Sequence, residues 1–233
     1  MPDNFNLTGF LIIFFGWIFS VCFHEFSHAL VAYYGGDKSV KAKGYLTFNP
    51  LKYAHPLYSI VMPIVFLLIG GIGLPGGAVY IDKNRLKNRL WDAASSLAGP
   101  LSNAILLSIM LVPFNFFEID FEANRVFWSA YSFLCYLQVT GIFFNLLPVP
   151  PLDGFGTVSA FIPKRLRQIL YRMSSLFLLV VVFGLLRIAP VRDAFWQYVY
   201  GIANEVKIPR ALIHEGYQMI KFDLIGSVKN LTN

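Results

Sequence analysis

Residues 7–34 read LTGFLIIFFGWIFSVCFHEFSHALVAYY, an apolar run interrupted by one polar island at His24, Glu25 and His28. The uncharged part, Leu7 to Phe23, continues past Glu25 towards Tyr34, which exceeds the roughly 20 residues a helix needs to cross hydrocarbon. Uncharged runs of similar length extend from Leu57 to Ile81, Ala93 to Phe117 and Val126 to Leu152. A fifth, Met173 to Leu186, reaches spanning length if Arg187 snorkels to the interface and the helix continues towards Val191. Composition agrees, since 56% of the 233 residues are hydrophobic and 14% are charged, against about 25% charged in an ordinary soluble domain. The expected fold is an all-α polytopic membrane protein with about four to six membrane segments.

The loop charges assign sides. Residues 35–56 hold Lys38, Lys41, Lys43 and Lys52 against Asp37, and residues 76–92 hold Lys83, Arg85, Lys87 and Arg89 against Asp82 and Asp92. Residues 163–172 hold Lys164, Arg165, Arg167 and Arg172 with no acid, whereas Glu118, Asp120 and Glu122 are joined only by Arg125. The positive-inside rule places the three basic loops in the cytoplasm and the acidic one outside. A crossing by Leu57–Ile81 would put two basic loops in opposite compartments, so this run is expected to re-enter. Gly70, Gly71, Gly73, Pro75, Gly76 and Gly77 are poor material for a continuous helix, and Ala78-Val79-Tyr80-Ile81 suits a short strand. The expectation is a re-entrant Gly-rich loop or short β-hairpin. Non-helical backbone at membrane depth persists only when buried in protein or lining a wet cavity, so the segment should border a site.

Several classes are excluded. Cys22 and Cys135 lie inside apolar runs, which disfavours a disulfide scaffold or a cysteine zinc cluster. The net charge of +6 sits beside hydrophobic segments, where cations set topology and meet the lipid bilayer rather than nucleic acid. Asp3 stands where a signal peptide would be basic, and the first apolar run is long, so no cleavable signal is expected. The chain reads as a membrane-embedded domain at 1–190 and a C-terminal amphipathic helical tail at 191–233. In the tail, Phe195, Tyr198, Val199, Ile202 and Val206 approximate an apolar stripe.

His24-Glu25-Phe26-Ser27-His28 has the H-E-x-x-H spacing. Four residues are about one helical turn, so both imidazoles leave one face and can share a metal ion, with Glu25 adjacent to a bound water. Polar residues on a buried helix face would be the simpler reading, but three ionisable side chains in five residues of a membrane helix are costly unless paired or functional. A catalytic zinc takes a third protein ligand. His55, before Pro56, and His214, in the polar tail, read as surface or structural histidines. Asp153 follows three prolines, which end a helix, and precedes Gly154, which allows a tight turn, in Asn145-Leu-Leu-Pro-Val-Pro-Pro-Leu-Asp153-Gly154; either it ends a helix in solvent, or it points back into the protein from an unwound end. Small residues at Ala98, Gly99 and Ser102 suit close helix packing, with Asn103 satisfying a neighbour.

These motifs, together with Ala29, Ala32, Gly35, Asp37, Leu46-Thr-Phe-Asn-Pro-Leu-Lys52 and Leu97-Ala-Gly-Pro-Leu-Ser-Asn103, resemble the site-two protease family of intramembrane zinc metalloproteases over roughly residues 10–165. The resemblance implies one zinc ion per chain held by His24, His28 and Asp153, Glu25 as general base, and Asn145 holding substrate backbone or an oxyanion. It further implies hydrolysis in or near transmembrane segments of membrane proteins; the expected location is a bacterial cytoplasmic membrane, and the loop charges with a re-entrant 57–81 put His28 and Asp153 towards the cytoplasm. The chain departs from larger relatives in leaving no room for an inserted peptide-binding domain or a nucleotide-sensing domain. The alternative is a divalent-metal transporter or a non-proteolytic metal-binding scaffold, which would have no need of Glu25.

Overall fold

A computed structural model of the chain describes residues 6–54 and 77–220. Its longest helix, α1 (Leu7–Gly35), starts where the Asn6 side chain accepts from the Gly9 N–H at 2.8 Å, and stops at Gly36. Gly36 has φ +125° and returns its N–H to the carbonyls of Ala32 and Tyr33, a backbone that only glycine adopts without strain. Two short helices follow, α2 (Ser39–Ala42) and α3 (Pro50–Tyr53). Next come α4 (Arg89–Met110), α5 (Val112–Phe116) and α6 (Arg125–Asn145), with Asn88 and Asn124 capping the two long helices. The remaining helices are α7 (Asp153–Ser159), α8 (Lys164–Arg172), α9 (Ser174–Arg187), α10 (Ala189–Glu205) and α11 (Arg210–Ile220).

Helices α1, α4 and α6 are each long and apolar enough to cross a membrane. The pair α8 and α9 qualifies as a fourth span only when taken together, and it bends by 59° at Met173. The expected fifth span therefore begins with a break. Lys164, Arg165, Arg167 and Arg172 of α8 cannot follow α9 into hydrocarbon, so the chain turns where its charges end.

Contacts fix the relative directions. Gly16 lies against Leu134 and Ser20 against Gln138, so α1 and α6 run parallel, while Met110 of α4 meets Tyr131 of α6 in the opposite sense. The C-terminal half of α1, the N-terminal half of α4 and the end of α6 therefore share one level. Lys87 N–H donates to the Gly35 carbonyl at 2.8 Å, so the chain re-enters α4 beside the point where it left α1. Most of the expected re-entrant run lies outside the described residues. Its described flanks meet, since the Ala78 N–H donates to the Tyr53 carbonyl at 3.0 Å. Residues 77–81 are non-helical but form no strand among the described residues.

The tail helices belong to the core. Val199 and Ala203 of α10 and Ile213 and Ile220 of α11 are buried with Ile13, Phe133 and Val139. Phe195, Ile202 and Val206 pack against that cluster, and Tyr198 stays exposed. Adding a side chain at Gly216 would drive it into the Ser129 carbonyl, so α11 sits directly on α6. Arg125 and Ser129 then clasp Glu215 across the two helices, the latter at 2.9 Å.

Asp37 ties the loops at the site end together. It is fully buried. Its Oδ1 accepts from the Ser39 N–H at 3.0 Å and the Ser39 hydroxyl at 2.6 Å, and its Oδ2 from the Asp82 N–H at 2.8 Å. Burial pushes its carboxyl up, but these hydrogen bonds outweigh burial and hold it below the usual 3.8. A depressed folded value means that the contribution is present above about pH 4 and lost as pH falls through the folded value. Asp37→Ala should cost about 2–3 kcal/mol, as for hydrogen bonds to a charged group. Thermal unfolding in detergent should show this deficit at pH 7, narrowing below pH 4.

Candidate metal centre

His24 and His28 leave the same face of α1, one turn apart, and both are buried. His24 Nε2 lies 3.1 Å from Asp153 Oδ2, and His28 Nε2 lies 3.0 Å from His24 Nε2 and 3.3 Å from Asp153 Oδ1. The ligand atoms of all three residues fall within 4.8 Å of one another. The Ser95 carbonyl of α4 lies 2.6 Å from His28 Nδ1. A carbonyl only accepts, so Nδ1 carries a proton, which in the neutral ring leaves the Nε2 lone pair for the cluster.

Asp153 arrives by a route the sequence suggests only in part. Helix α6 ends at Asn145, the proline-rich turn follows, and α7 begins at Asp153 itself. Gly154 is helical rather than the pivot of the turn. Any side chain there would strike the carbonyls of Leu146 and Leu147, so the glycine serves close approach of α7 to the end of α6.

Gly99 has the same kind of role with a different partner. A Cβ at Gly99 would overlap the Nε2 atoms of both His28 and His24. The small-residue motif of α4 does serve packing, as expected, and what packs there is the histidine pair. Asn103, one turn on, is buried with its Oδ1 lacking a partner among the described residues, and it lines the cleft instead of satisfying a neighbour.

Glu25 is buried beside this cluster. Residues 77–79 lie against it: a Cβ at Gly77 would stand 3.0 Å from Glu25 Cγ, and Val79 lines the same cleft. The non-helical segment thus borders the site. A cleft of about 1430 Å³ is lined by His24, Glu25, His28, Asn103, Asn145 and Asp153. His214 is exposed on α11, where Gln218 Nε2 contacts its ring nitrogen at 3.3 Å; His55 lies outside the described residues.

The donor set fits zinc. Two imidazole nitrogens and one carboxylate oxygen are the ligand types of catalytic zinc sites, which keep one position open. His24 Nδ1 is buried without a partner among the described residues, so the His24 ring, unlike that of His28, is held only from its Nε2 side.

Over 216 residues, 91% of this chain and 81% of the relative, the sequence is 39% identical to a Mycolicibacterium smegmatis protein whose name reads "Putative zinc metalloprotease Rip2". Its namesake from Mycobacterium tuberculosis is 33% identical over the same shares. The chain belongs to the site-two protease family of zinc metalloproteases. A Bacillus subtilis relative named for the same activity, YwhC, is 34% identical over 64% of this chain and 68% of its own. No family profile and no solved structure matches. The transporter alternative finds no support among these relatives.

Gly99→Ala should act on the metal rather than on the bundle. Zinc affinity, measured by chelator competition, is expected to fall about 10–100-fold, the range for disturbed support of the ligands, while helix content by circular dichroism stays at the wild-type level.

Proposed function

We propose that this site-two family member is an intramembrane zinc endopeptidase that hydrolyses peptide bonds in or near the transmembrane segments of other membrane proteins, from the cytoplasmic side of a bacterial inner membrane. The observation that supports this best is the meeting of His24, His28 and Asp153 beside Glu25 in one cleft. His24, His28 and Asp153 would hold one zinc ion, which when bound lowers the pKa of water towards about 7 and polarises the scissile carbonyl. Glu25 is the proton carrier. Its carboxylate takes a proton from the attacking water and delivers it to the departing amine nitrogen. Burial under residues 77–79 keeps that carboxylate away from bulk water.

Asn145, at the end of α6, faces the same cleft, and its amide N–H groups can donate to the substrate backbone carbonyl as charge builds on it. A substrate helix must first unwind, which frees backbone groups in a poorly hydrated setting. Residues 77–81 can pair with the unwound stretch and offset that cost. The Tyr80 N–H has no hydrogen-bond partner among the described residues. Tyr80→Pro, which removes that donor, should therefore slow cleavage and leave zinc content unchanged; normal cleavage rates would refute the pairing.

Glu25→Gln tests the central claim. Cleavage should fall by about 10²–10⁴-fold, the range for loss of a general base, with zinc content by elemental analysis unchanged. Comparing membrane proteomes of cells carrying the wild type or Glu25→Gln should show a single-span protein accumulating with the variant. Retained hydrolysis in the variant would remove Glu25 from its assigned role.

A further inference from the structure

The cleft does not end at the histidines. It continues between α8 and the start of α4, where Lys83, Arg89, Lys164, Arg167 and Arg172 line it against the carboxylates of Asp82 and Asp92. Those two acids are already engaged. Asp92 is buried and takes Arg167 at 2.6 Å and Lys83 at 3.1 Å, while Asp82 takes Arg85 at 2.9 Å. Arg89, Lys164 and Arg172 are exposed and have no carboxylate within ion-pairing distance among the described residues. The mouth of the cleft thus carries positive charge that no carboxylate among the described residues pairs, which attracts anionic groups.

Topology alone does not explain this placement. Cations that merely hold a loop on one side need not share a helix face, yet Lys164, Arg167, Gln168, Tyr171 and Arg172 recur at helical spacing and all line the cleft. Leu166 and Ile169, 48% and 50% exposed, occupy other positions of α8. Tyr171 accepts from Lys83 at 3.0 Å, and with Arg167 on Asp92 it pins this face of α8 towards the start of α4. The cationic face is therefore turned into the cleft.

We propose that this mouth is a binding site for an acidic peptide segment, and that the enzyme selects substrates carrying carboxylates beside the membrane span. Lys164 and Arg172 are eight residues apart on α8, about 12 Å, a distance covered by about four residues of extended chain. Two or more carboxylates within such a stretch would face both cations at once. The proposal rests on the protease reading, but its test is a binding measurement.

The full-length Glu25→Gln chain, zinc-loaded in neutral detergent, is titrated against fluorescent peptides Gly-Glu-Glu-Gly-Glu-Glu and Gly-Lys-Lys-Gly-Lys-Lys by anisotropy. The Glu peptide should bind, weaken about tenfold or more between low and high salt, and weaken at least as much in the triple variant Arg89→Gln/Lys164→Gln/Arg172→Gln. The Lys peptide should not bind, and Lys164→Glu/Arg172→Glu should reverse the preference. Thermal unfolding and zinc content serve as fold controls, and the single variants Lys164→Gln and Arg172→Gln, each weakening the Glu peptide measurably, replace the triple if it does not fold. Equal affinity for both peptides, or unchanged Glu-peptide affinity in the variants, overturns the proposal. So does a triple variant whose only change is less co-purified phosphatidylglycerol by mass spectrometry, since the cations would then serve lipid. A chain that binds the Glu peptide but cleaves nothing, even with Glu25 intact, would count against the protease reading alone.

Discussion

Three electron-pair donors meet at one point inside an apolar bundle: the Nε2 atoms of His24 and His28, 3.0 Å apart, and the Asp153 carboxylate 3.1 Å from the first. Buried polar groups are tolerated when paired, and a buried carboxylate needs compensating positive charge. Convergence of this kind therefore calls for a cation, and much of the fold serves to produce it. Helix α1 sets the histidines one turn apart. Helix α4 runs antiparallel beside it, so that Ser95 fixes one imidazole and Gly99 leaves room for both. Helix α6 stops at Asn145, and α7 presents Asp153 at the same level.

Elsewhere in the bundle the polar groups are placed to hold that register. Gln138 is fully buried and donates to Ser20 at 2.6 Å, and Ser20 donates to the Gly16 carbonyl at 2.8 Å, one turn before His24. A hydrogen bond between spanning helices contributes only about 0.6–2 kcal/mol. Its greater effect is on specificity, because sliding α6 by one turn would part the buried Gln138 amide from the Ser20 hydroxyl. Such a slip would also carry Asn145 and the turn leading to Asp153 out of line with the histidines.

Much of this was legible in the sequence because it depends on local pattern. The apolar runs gave α1, α4 and α6, and the one-turn spacing of His24 and His28 needs nothing beyond helix geometry. Loop charges pointed to a chain that leaves and re-enters on one side, and the Lys87 to Gly35 bond joins α1 and α4 there. What escaped depends on partners distant in sequence. Gly99 looks like any small residue of a packed helix until the histidines of α1 stand opposite it. Gly154 reads as a turn residue because prolines precede it, whereas its constraint comes from the carbonyls of Leu146 and Leu147. Asp92 counts only as one acid among loop cations, and nothing in its neighbourhood announces Arg167, which lies 75 residues away. The tail's stripe predicted an apolar contact but not its recipient, since Val199 and Ile213 share their cluster with Phe133 and Ile13.

The break between α8 and α9 shows one set of charges meeting two requirements. Lys164, Arg165, Arg167 and Arg172 keep α8 out of hydrocarbon, so the chain must bend where α9 begins, by 59°. A helix held at that angle need not have lain near the site, because exposed cations at an interface are satisfied by water and lipid alone. Asp92 removes that freedom. Buried at the start of α4, it leaves an uncompensated charge unless Arg167 and Lys83 reach it, and breaking such a buried pair costs about 3–5 kcal/mol. Since α4 also carries Ser95 and Gly99, the ion pair that fixes α8 fixes it relative to the histidines. The wall of the cleft and the cluster of His24, His28 and Asp153 are thereby referenced to one helix, and a shift of either would be opposed by the other's partners.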